Sequence, residues 1–291
     1  MFIADNWKDY EILETSDGEK LERWGSYYLV RPDPQVIWTS QKNDPGWKNR
    51  NAHYHRSDKG GGQWEFFDLP EQWKINYDLQ SINRRLSFNL KPFSFKHTGL
   101  FPEQAANWEW MTGLISSCAR PVNILNLFAY TGGATIACAA AGASVTHVDA
   151  SKGMVTWAKE NAASSGLSDA PVRWLVDDCI KFVEREIRRG NSYDGIIMDP
   201  PSYGRGPKGE IWKIEDCIYD LVCKCSSLLS KKPLFFLINS YTTGLAPGVL
   251  SYMIRLNIGN NASVKSSEVG IPVSGHNLVL PCGASMRAEL S

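Results

Sequence analysis

Four short segments carry the residue types that chemistry needs. The first is Asn126-Leu127-Phe128-Ala129-Tyr130-Thr131-Gly132-Gly133, an apolar run that ends in paired glycines. Glycines there let the backbone turn sharply and approach a ligand, and a helix beginning at that point offers free amides. The spacing is not the full GxGxxG of dinucleotide enzymes. The second segment ends in Val148-Asp149 and continues through Ala150 and Ser151. A carboxylate there can accept hydrogen bonds from both hydroxyls of a ribose. The third is Asp177-Asp178-Cys179. Its carboxylates either accept from an adenine amino group or cap the following helix, Asp177 being the more obvious cap. The fourth is Ile196-Ile197-Met198-Asp199-Pro200-Pro201-Ser202-Tyr203-Gly204. An apolar strand stops at Asp199, and two prolines then hold the chain rigid and extended. Prolines bring no amide hydrogen, so carbonyls and the carboxylate stay free to accept from a substrate amine. Such a site suits a nucleophilic nitrogen or carbon of a planar ring. Tyr203 either stacks on that ring or simply packs in its loop.

The elements that must position these segments alternate strand and helix from about residue 121. Strands are expected at 122–127, 144–148, 172–176, 193–198 and 234–238. Helices are expected at 134–141, 152–165 and 180–189, with further helices between the later strands. Alternation of this kind means βαβ units and a parallel sheet covered on both faces, an α/β fold. Ligands then bind beyond the carboxyl ends of the strands, where all four segments lie. The tail, 263–269 and 277–280, has no helix between its strands and reads as a hairpin ending the sheet. The region before about residue 90 is different. It holds Trp7, Trp24, Trp38, Trp47, Trp64 and Trp73, with short strands expected at 27–30, 36–38 and 64–67. The tryptophans read as the core of a small β unit. Two domains result: 1–90, Trp-rich and β-stranded, and 91–291, the ligand-binding domain.

Composition sets the limits. Lys plus Arg and Asp plus Glu both number 31, so no overall basic bias points to phosphate contacts. One stretch, Lys42, Lys48, Arg50, His53, His55, Arg56 and Lys59 among Trp47, Tyr54 and Trp64, mixes cations with flat rings. It either grips single-stranded nucleic acid or is a solvated loop, and Gly60-Gly61-Gly62 favours a hairpin. The seven cysteines are scattered without a CxxC pair, so reduced thiols are expected, with no metal or disulfide framework. No apolar run approaches the roughly 20 residues of a membrane span. The start is not a secretory signal, and cytoplasmic residence is expected.

Taken in order on successive strands, the Asn126–Gly133 turn, Asp149, Asp178 and Asp199-Pro200-Pro201 resemble class I S-adenosylmethionine-dependent methyltransferases. The Phe-x-Tyr-Thr-Gly-Gly turn is similar to that of the branch containing the bacterial 23S ribosomal RNA cytosine-C5 methyltransferases. So is Lys96-His97-Thr98-Gly99-Leu100-Phe101-Pro102-Glu103-Gln104, which in that branch closes over the cofactor. The resemblance spans roughly residues 90 to 291. It implies a Rossmann-like seven-stranded sheet ending in an antiparallel hairpin, and S-adenosyl-L-methionine as cofactor. By the same resemblance, Thr98, Gly99, Phe101, Asn126 and the Phe128–Gly133 turn line the methionine part. Asp149, with Ala150 and Ser151, holds the ribose, and Asp178, with Cys179, the adenine. Asp199, Pro200, Pro201 and Tyr203 become the catalytic set.

One departure from the branch bears on chemistry. Enzymes that methylate cytosine C5 first add a cysteine thiolate to the ring. Here Leu237-Ile238-Asn239-Ser240-Tyr241 carries Ser240 where that thiol belongs, and a serine hydroxyl is far less nucleophilic near neutral pH. Cys282 follows the last strand and is the other thiol near that end of the sheet. Asp-Pro-Pro is also similar to the motif of amino-group methyltransferases of adenine or cytosine, except that Ser202 intervenes before the aromatic. The resemblance implies methylation of a base in RNA, ribosomal RNA favoured. A small molecule or protein substrate is the alternative. A nicotinamide-dependent oxidoreductase would share the glycine turn and Asp149 but has no need of Asp199-Pro200-Pro201 or the hairpin. A binding protein without catalysis is the last reading.

Overall fold

The computed structural model describes residues 1–57, 61–93, 95–205, 211–259 and 262–290. Lys59 and Gly60 of the basic stretch lie outside these. The N-terminal strands are β1 (Phe2–Ile3), β2 (Tyr10–Ser16), β3 (Glu19–Trp24), β4 (Tyr27–Pro32), β5 (Ala52–Arg56), β6 (Gly62–Phe66), β7 (Trp73–Leu79) and β8 (Arg84–Leu90). Helix α1 (Ala105–Ser116) leads into β9 (Asn123–Leu127), α2 (Gly133–Ala140), β10 (Ser144–Asp149), α3 (Lys152–Ser164), β11 (Val172–Val176) and α4 (Cys179–Arg189). Then follow β12 (Gly195–Met198), β13 (Tyr203–Arg205), β14 (Ile211–Lys213), α5 (Ile214–Ser226), β15 (Phe235–Ser240), α6 (Pro247–Ile258), β16 (Ser263–Val273) and β17 (Leu278–Glu289).

The strand order β11-β10-β9-β12-β15-β17-β16 makes the expected seven-stranded sheet. Its first five strands are parallel, and β17 enters antiparallel between β15 and β16. The chain runs outward from β9 in both directions, so the switch point lies between β9 and β12, where α/β sheets bind ligands. Alternation along β15 explains why both faces are covered. Phe235 and Leu237 join one apolar cluster while Phe236 and Ile238 join the other. The second cluster is closed by α4, α5 and α6 through Phe182, Leu221 and Leu250. The first is closed by Trp108 and Met111 of α1 and Ile136 of α2, together with Ile12, Trp24, Leu29 and Phe88 from the N-terminal strands. The Trp-rich region therefore shares a core with the sheet. It also extends that sheet, since β16 pairs with β2 at Val273 and Ile12 and the ladder continues through β3, β4, β5 and β6.

The tryptophans behave mostly as core: Trp24, Trp47 and Trp73 are buried, whereas Trp38 is exposed. The strand expected at 36–38 does not form. The Asp33 carboxylate accepts from the Gln35 amide, and the Val36 amide bonds to the Asp33 carbonyl, so the segment turns instead. The terminal hairpin is longer than its apolar residues indicated, with register continuing from Ser263 opposite Glu289 to Val273 opposite Leu278. No helix among the described residues is long and apolar enough to cross a membrane.

Candidate active site

The turn after β9 is built from unusual backbone. Phe128, Tyr130 and Gly132 all have left-handed φ, +55°, +50° and +86°. For the two aromatics this is a strained conformation, of the kind that clusters at functional sites. It is held by specific partners. The Phe128 amide donates to the Cys179 thiol (3.4 Å), the Ala129 amide to the Val148 carbonyl (3.1 Å), and the Tyr130 amide to Asp149 (2.8 Å). The glycines are required by close packing: a Cβ on Gly132 would sit 2.9 Å from that of Ala158, and one on Gly133 2.8 Å from the Trp108 ring.

Asp149, at the end of β10, accepts from the Tyr130 amide with one oxygen and from the Ser151 amide with the other, both at 2.8 Å. Burial raises its pKa, and the two amides only partly offset this. A desolvated carboxylate with lone pairs to spare is a strong acceptor for hydroxyl donors. Ser151 caps α3 through its hydroxyl, beside the exposed Ala150. Asp178 caps α4, accepting from the Lys181 amide at 2.9 Å, which leaves its second oxygen for another donor. Asp177 is tied to Arg185. Cys179 is buried behind the Phe128 turn, and burial pushes its thiol well up.

A strap, residues 91–93 and 95–104, crosses this turn. The Thr131 hydroxyl donates to the Gly99 carbonyl (2.5 Å), and Gly99 lies so close to the Trp157 ring that a Cβ would approach it to 2.3 Å. Thr98, within the strap, is fully buried. Phe101 sits with its ring centroid 5.5 Å from Tyr130 and 5.4 Å from Tyr241. The N-terminal strands hold the strap from behind: Arg31 donates to the Lys96 carbonyl, Lys96 to Pro32, and the Trp64 indole to Phe93 and Phe95.

Between strap, turn and β12 lies a cavity, small and partly open to solvent, with a volume of about 50 Å³. Of the residues expected from sequence, Phe101, Asn126, Phe128, Tyr130, Thr131, Gly133 and Asp199 line it. Thr98, Gly99, Gly132, Asp149, Ala150, Ser151, Asp178 and Cys179 stand behind or beside that lining, as do Pro200, Pro201 and Tyr203. Asp199 keeps a small surface on the cavity, and burial, then the neighbouring Glu103, raises its pKa to about 7. Pro200 is buried and Pro201 exposed. The carbonyls after Asp199 are not all free. That of Pro201 accepts from the Trp212 indole at 2.6 Å, and that of Ser202 from the Ile214 amide. Tyr203, half exposed, lies on β13 opposite Lys213.

Several lining residues escaped the sequence reading. Gln104 and Asn239 face the cavity and belong to a buried amide network. The Gln104 carbonyl oxygen accepts from Asn107 (2.8 Å) and Asn239 (3.1 Å), while its amide donates to the Tyr241 hydroxyl (2.8 Å). Asn107 also reaches Ser285, and Arg287 donates to it. Gln104 lies within the segment that the resemblance quoted, which was the available signal. Asn239 had none. Neither candidate nucleophile is primed. Ser240 is fully buried in the sheet, its hydroxyl accepting from the Thr242 amide. Cys282 occupies the bulge of β17, where Val269 pairs with Gly283 but Gly270 with Pro281. Burial, then Glu103, pushes its thiol well up, leaving it protonated at neutral pH.

The pattern of the S-adenosylmethionine-dependent methyltransferases (Methyltrans_SAM) matches residues 46–229, well over half the chain. The chain belongs to that family. The match starts within the N-terminal strands, earlier than the residue 90 at which the sequence resemblance began. The crystal structure of an S-adenosylmethionine-dependent methyltransferase from Agrobacterium tumefaciens is 36% identical, with a TM-score of 0.90, covering 99% of this chain and 93% of its own. A Streptococcus mutans chain, described as a candidate methyltransferase, superimposes with a TM-score of 0.73 at 18% identity, covering 98% of this chain and 76% of its own; this likeness speaks to the fold alone. Among curated proteins, the ribosomal RNA large subunit methyltransferase K/L of Shewanella frigidimarina is 31% identical over 159 residues, 54% of this chain and 21% of that protein. Its counterpart in Pseudoalteromonas atlantica is 33% identical over 159 residues, again 54% and 21%. The chain thus spans about a fifth of the length of these curated relatives. The protein is a methyltransferase that uses S-adenosylmethionine. The residues gathered here suit that cofactor: the rings of Phe101, Phe128 and Tyr130 and the carboxyl of Asp199, all on the lining, suit a cationic sulfur, and the desolvated Asp149 beside the lining suits a diol.

Proposed function

We propose that this methyltransferase modifies a base in RNA, ribosomal RNA first, and does so without a thiol-addition step. The observation that carries the chemical half is the raised, cavity-facing carboxyl of Asp199 at the switch point, with no cysteine on the cavity wall among the described residues. The substrate half is supported by the curated relatives, which are ribosomal RNA large subunit methyltransferases. Cytosolic residence goes with that substrate.

Bound S-adenosylmethionine supplies a methyl group on a sulfonium, an electrophile suited to in-line displacement. The chain's own residues do the rest. Asp149 accepts from the ribose hydroxyls and Asp178 from the adenine amine. The Phe128–Gly133 turn, with Asn126 and the strap residues Thr98, Gly99 and Phe101, encloses the methionine part. Asp199 accepts a hydrogen bond, and then a proton, from the base nitrogen that gains the methyl. Pro200 and Pro201 hold that carboxyl in place, and Tyr203 stacks on the ring. Correct placement of two reactants supplies much of the acceleration in such a step. In this reading residues 1–90 form a supporting unit for the strap, and 91–291 the catalytic domain.

The test is transfer of labelled methyl from S-adenosylmethionine to ribosomal RNA isolated from cells lacking this protein, followed by nucleoside analysis. A labelled base methylated on a ring or exocyclic nitrogen supports the reading. Label at cytosine C5 would overturn the thiol-free step. Unlabelled RNA alongside methylated small molecules or protein would move the substrate to that other class.

A further inference from the structure

On the outer hairpin β5–β6, far along the sheet from the cavity, the strand period gathers a set of metal-ligating side chains. His53 and His55 share one face of β5, and Glu65 pairs directly opposite His53 on β6. One nitrogen of each imidazole and a Glu65 oxygen lie within 4.8 Å of one another. The two rings stand 4.0 Å apart, and His55 Nε2 is 2.9 Å from Glu65. A fourth group closes the set from β3: Glu19 lies 2.6 Å from His53 Nε2. The other ring nitrogen of His53 is buried and has no hydrogen-bond partner among the described residues. We propose that His53, His55 and Glu65 form a site for a divalent transition-metal ion, zinc foremost, with Glu19 orienting His53.

The chemistry of the donors selects the ion. Two imidazoles and a carboxylate suit zinc, nickel or copper, whereas magnesium and calcium take oxygen ligands alone. A carboxylate behind a ligating histidine fixes its ring and tautomer, the arrangement Glu19 provides. Two neighbouring cations oppose a bound dication, Lys42 at 3.6 Å from Glu19 and Arg50 near Glu65. An ion at this place would cross-link β5 to β6, and through Glu19 to β3. It would clamp the hairpin whose Trp64 holds the strap.

Calorimetric titration of the chelator-stripped, untagged full chain with zinc chloride tests this. One site is expected, and His55→Ala and Glu65→Ala should each weaken binding about tenfold or more, as loss of a ligand or its support does. Both side chains are about half exposed, and unchanged melting of the metal-free variants would exclude misfolding. Cobalt substitution should give a spectrum without thiolate charge transfer, excluding the cysteines. Absence of zinc binding by the parent, or binding by both variants as tight as the parent's, would overturn the site. S-adenosylmethionine affinity should be the same in all three proteins.

Discussion

Asp199 is a cavity-facing carboxyl whose surroundings carry it well away from its ordinary chemistry. A carboxyl raised to about 7 is half protonated at neutral pH. As pH falls below 7 the protonated fraction grows and the acceptor is lost, so transfer should slow on the acid side and level off above. Asp199→Asn should flatten that profile and lower kcat by about 100-fold or more, with cofactor affinity retained. A single-turnover pH series checks both statements; an unchanged profile would place the proton acceptor elsewhere. Asp149 is argued differently, since it serves binding. Asp149→Ala removes acceptors for hydroxyl donors, and hydrogen bonds to a charged group contribute about 1.5–3 kcal/mol. Cofactor titration should show affinity about 10- to 100-fold weaker. Normal binding would remove Asp149 from the ribose.

At the scale of elements, the β9–α2 turn is where local geometry and function meet. Its left-handed Phe128 and Tyr130 are paid for by amide bonds to Cys179 and Asp149, residues that open α4 and close β10. Gly132 is the position with least tolerance. A side chain there meets both φ +86° and Ala158, so Gly132→Ala should cost about 1–3 kcal/mol by crowding alone. A thermal melt unchanged from the parent would contradict this. The sequence disclosed this turn because its glycines and flanking apolar residues are local signals. It did not disclose that 36–38 leaves the sheet. Asp33 satisfies the amide after Pro34 from its own side chain, and that competition depends on a turn closing, not on β propensity.

For the molecule as a whole, the N-terminal strands support the site through one buried ion cluster. Arg31 grips Glu22 with two nitrogens, at 2.5 and 2.8 Å, Tyr10 donates to the same carboxylate, and Lys20 bridges Glu22 and Asp33. Arg31 then uses its remaining nitrogen on the strap at Lys96. Burial alone would raise Glu22; Arg31 and Lys20 outweigh it and hold the carboxyl down to about 2. Its folded pKa is thus below the unfolded value of about 4.3. The stabilisation is present above that value and is lost as pH falls through 4 towards 2. Glu22→Gln leaves Arg31 buried without its counter-charge, a loss of about 3–5 kcal/mol. Denaturant unfolding at pH 7 and pH 3 reads this directly: the gap between parent and variant should narrow at the lower pH.

What the sequence by itself determined is the alternation of the five parallel strands with their helices from β9 onward, the closing hairpin and the residues at the strand ends, but not the short β13–β14 pair. Asn126 to Gly133, Asp149, Asp178 and Asp199 all announce themselves by spacing within a few residues of a strand. The change in period and composition near residue 90 was also legible, but not that the Trp-rich strands continue the same sheet and share its core. Tertiary structure decided which groups those residues answer to. Glu103 raises Asp199, Tyr241 meets Phe101, and Asn107 joins Gln104, Asn239 and Ser285 across as many as 178 positions. It also decided that Cys282 stays protonated and that His53, His55 and Glu65 converge. Desolvation and Coulomb interaction act through space, and only the folded packing fixes those distances.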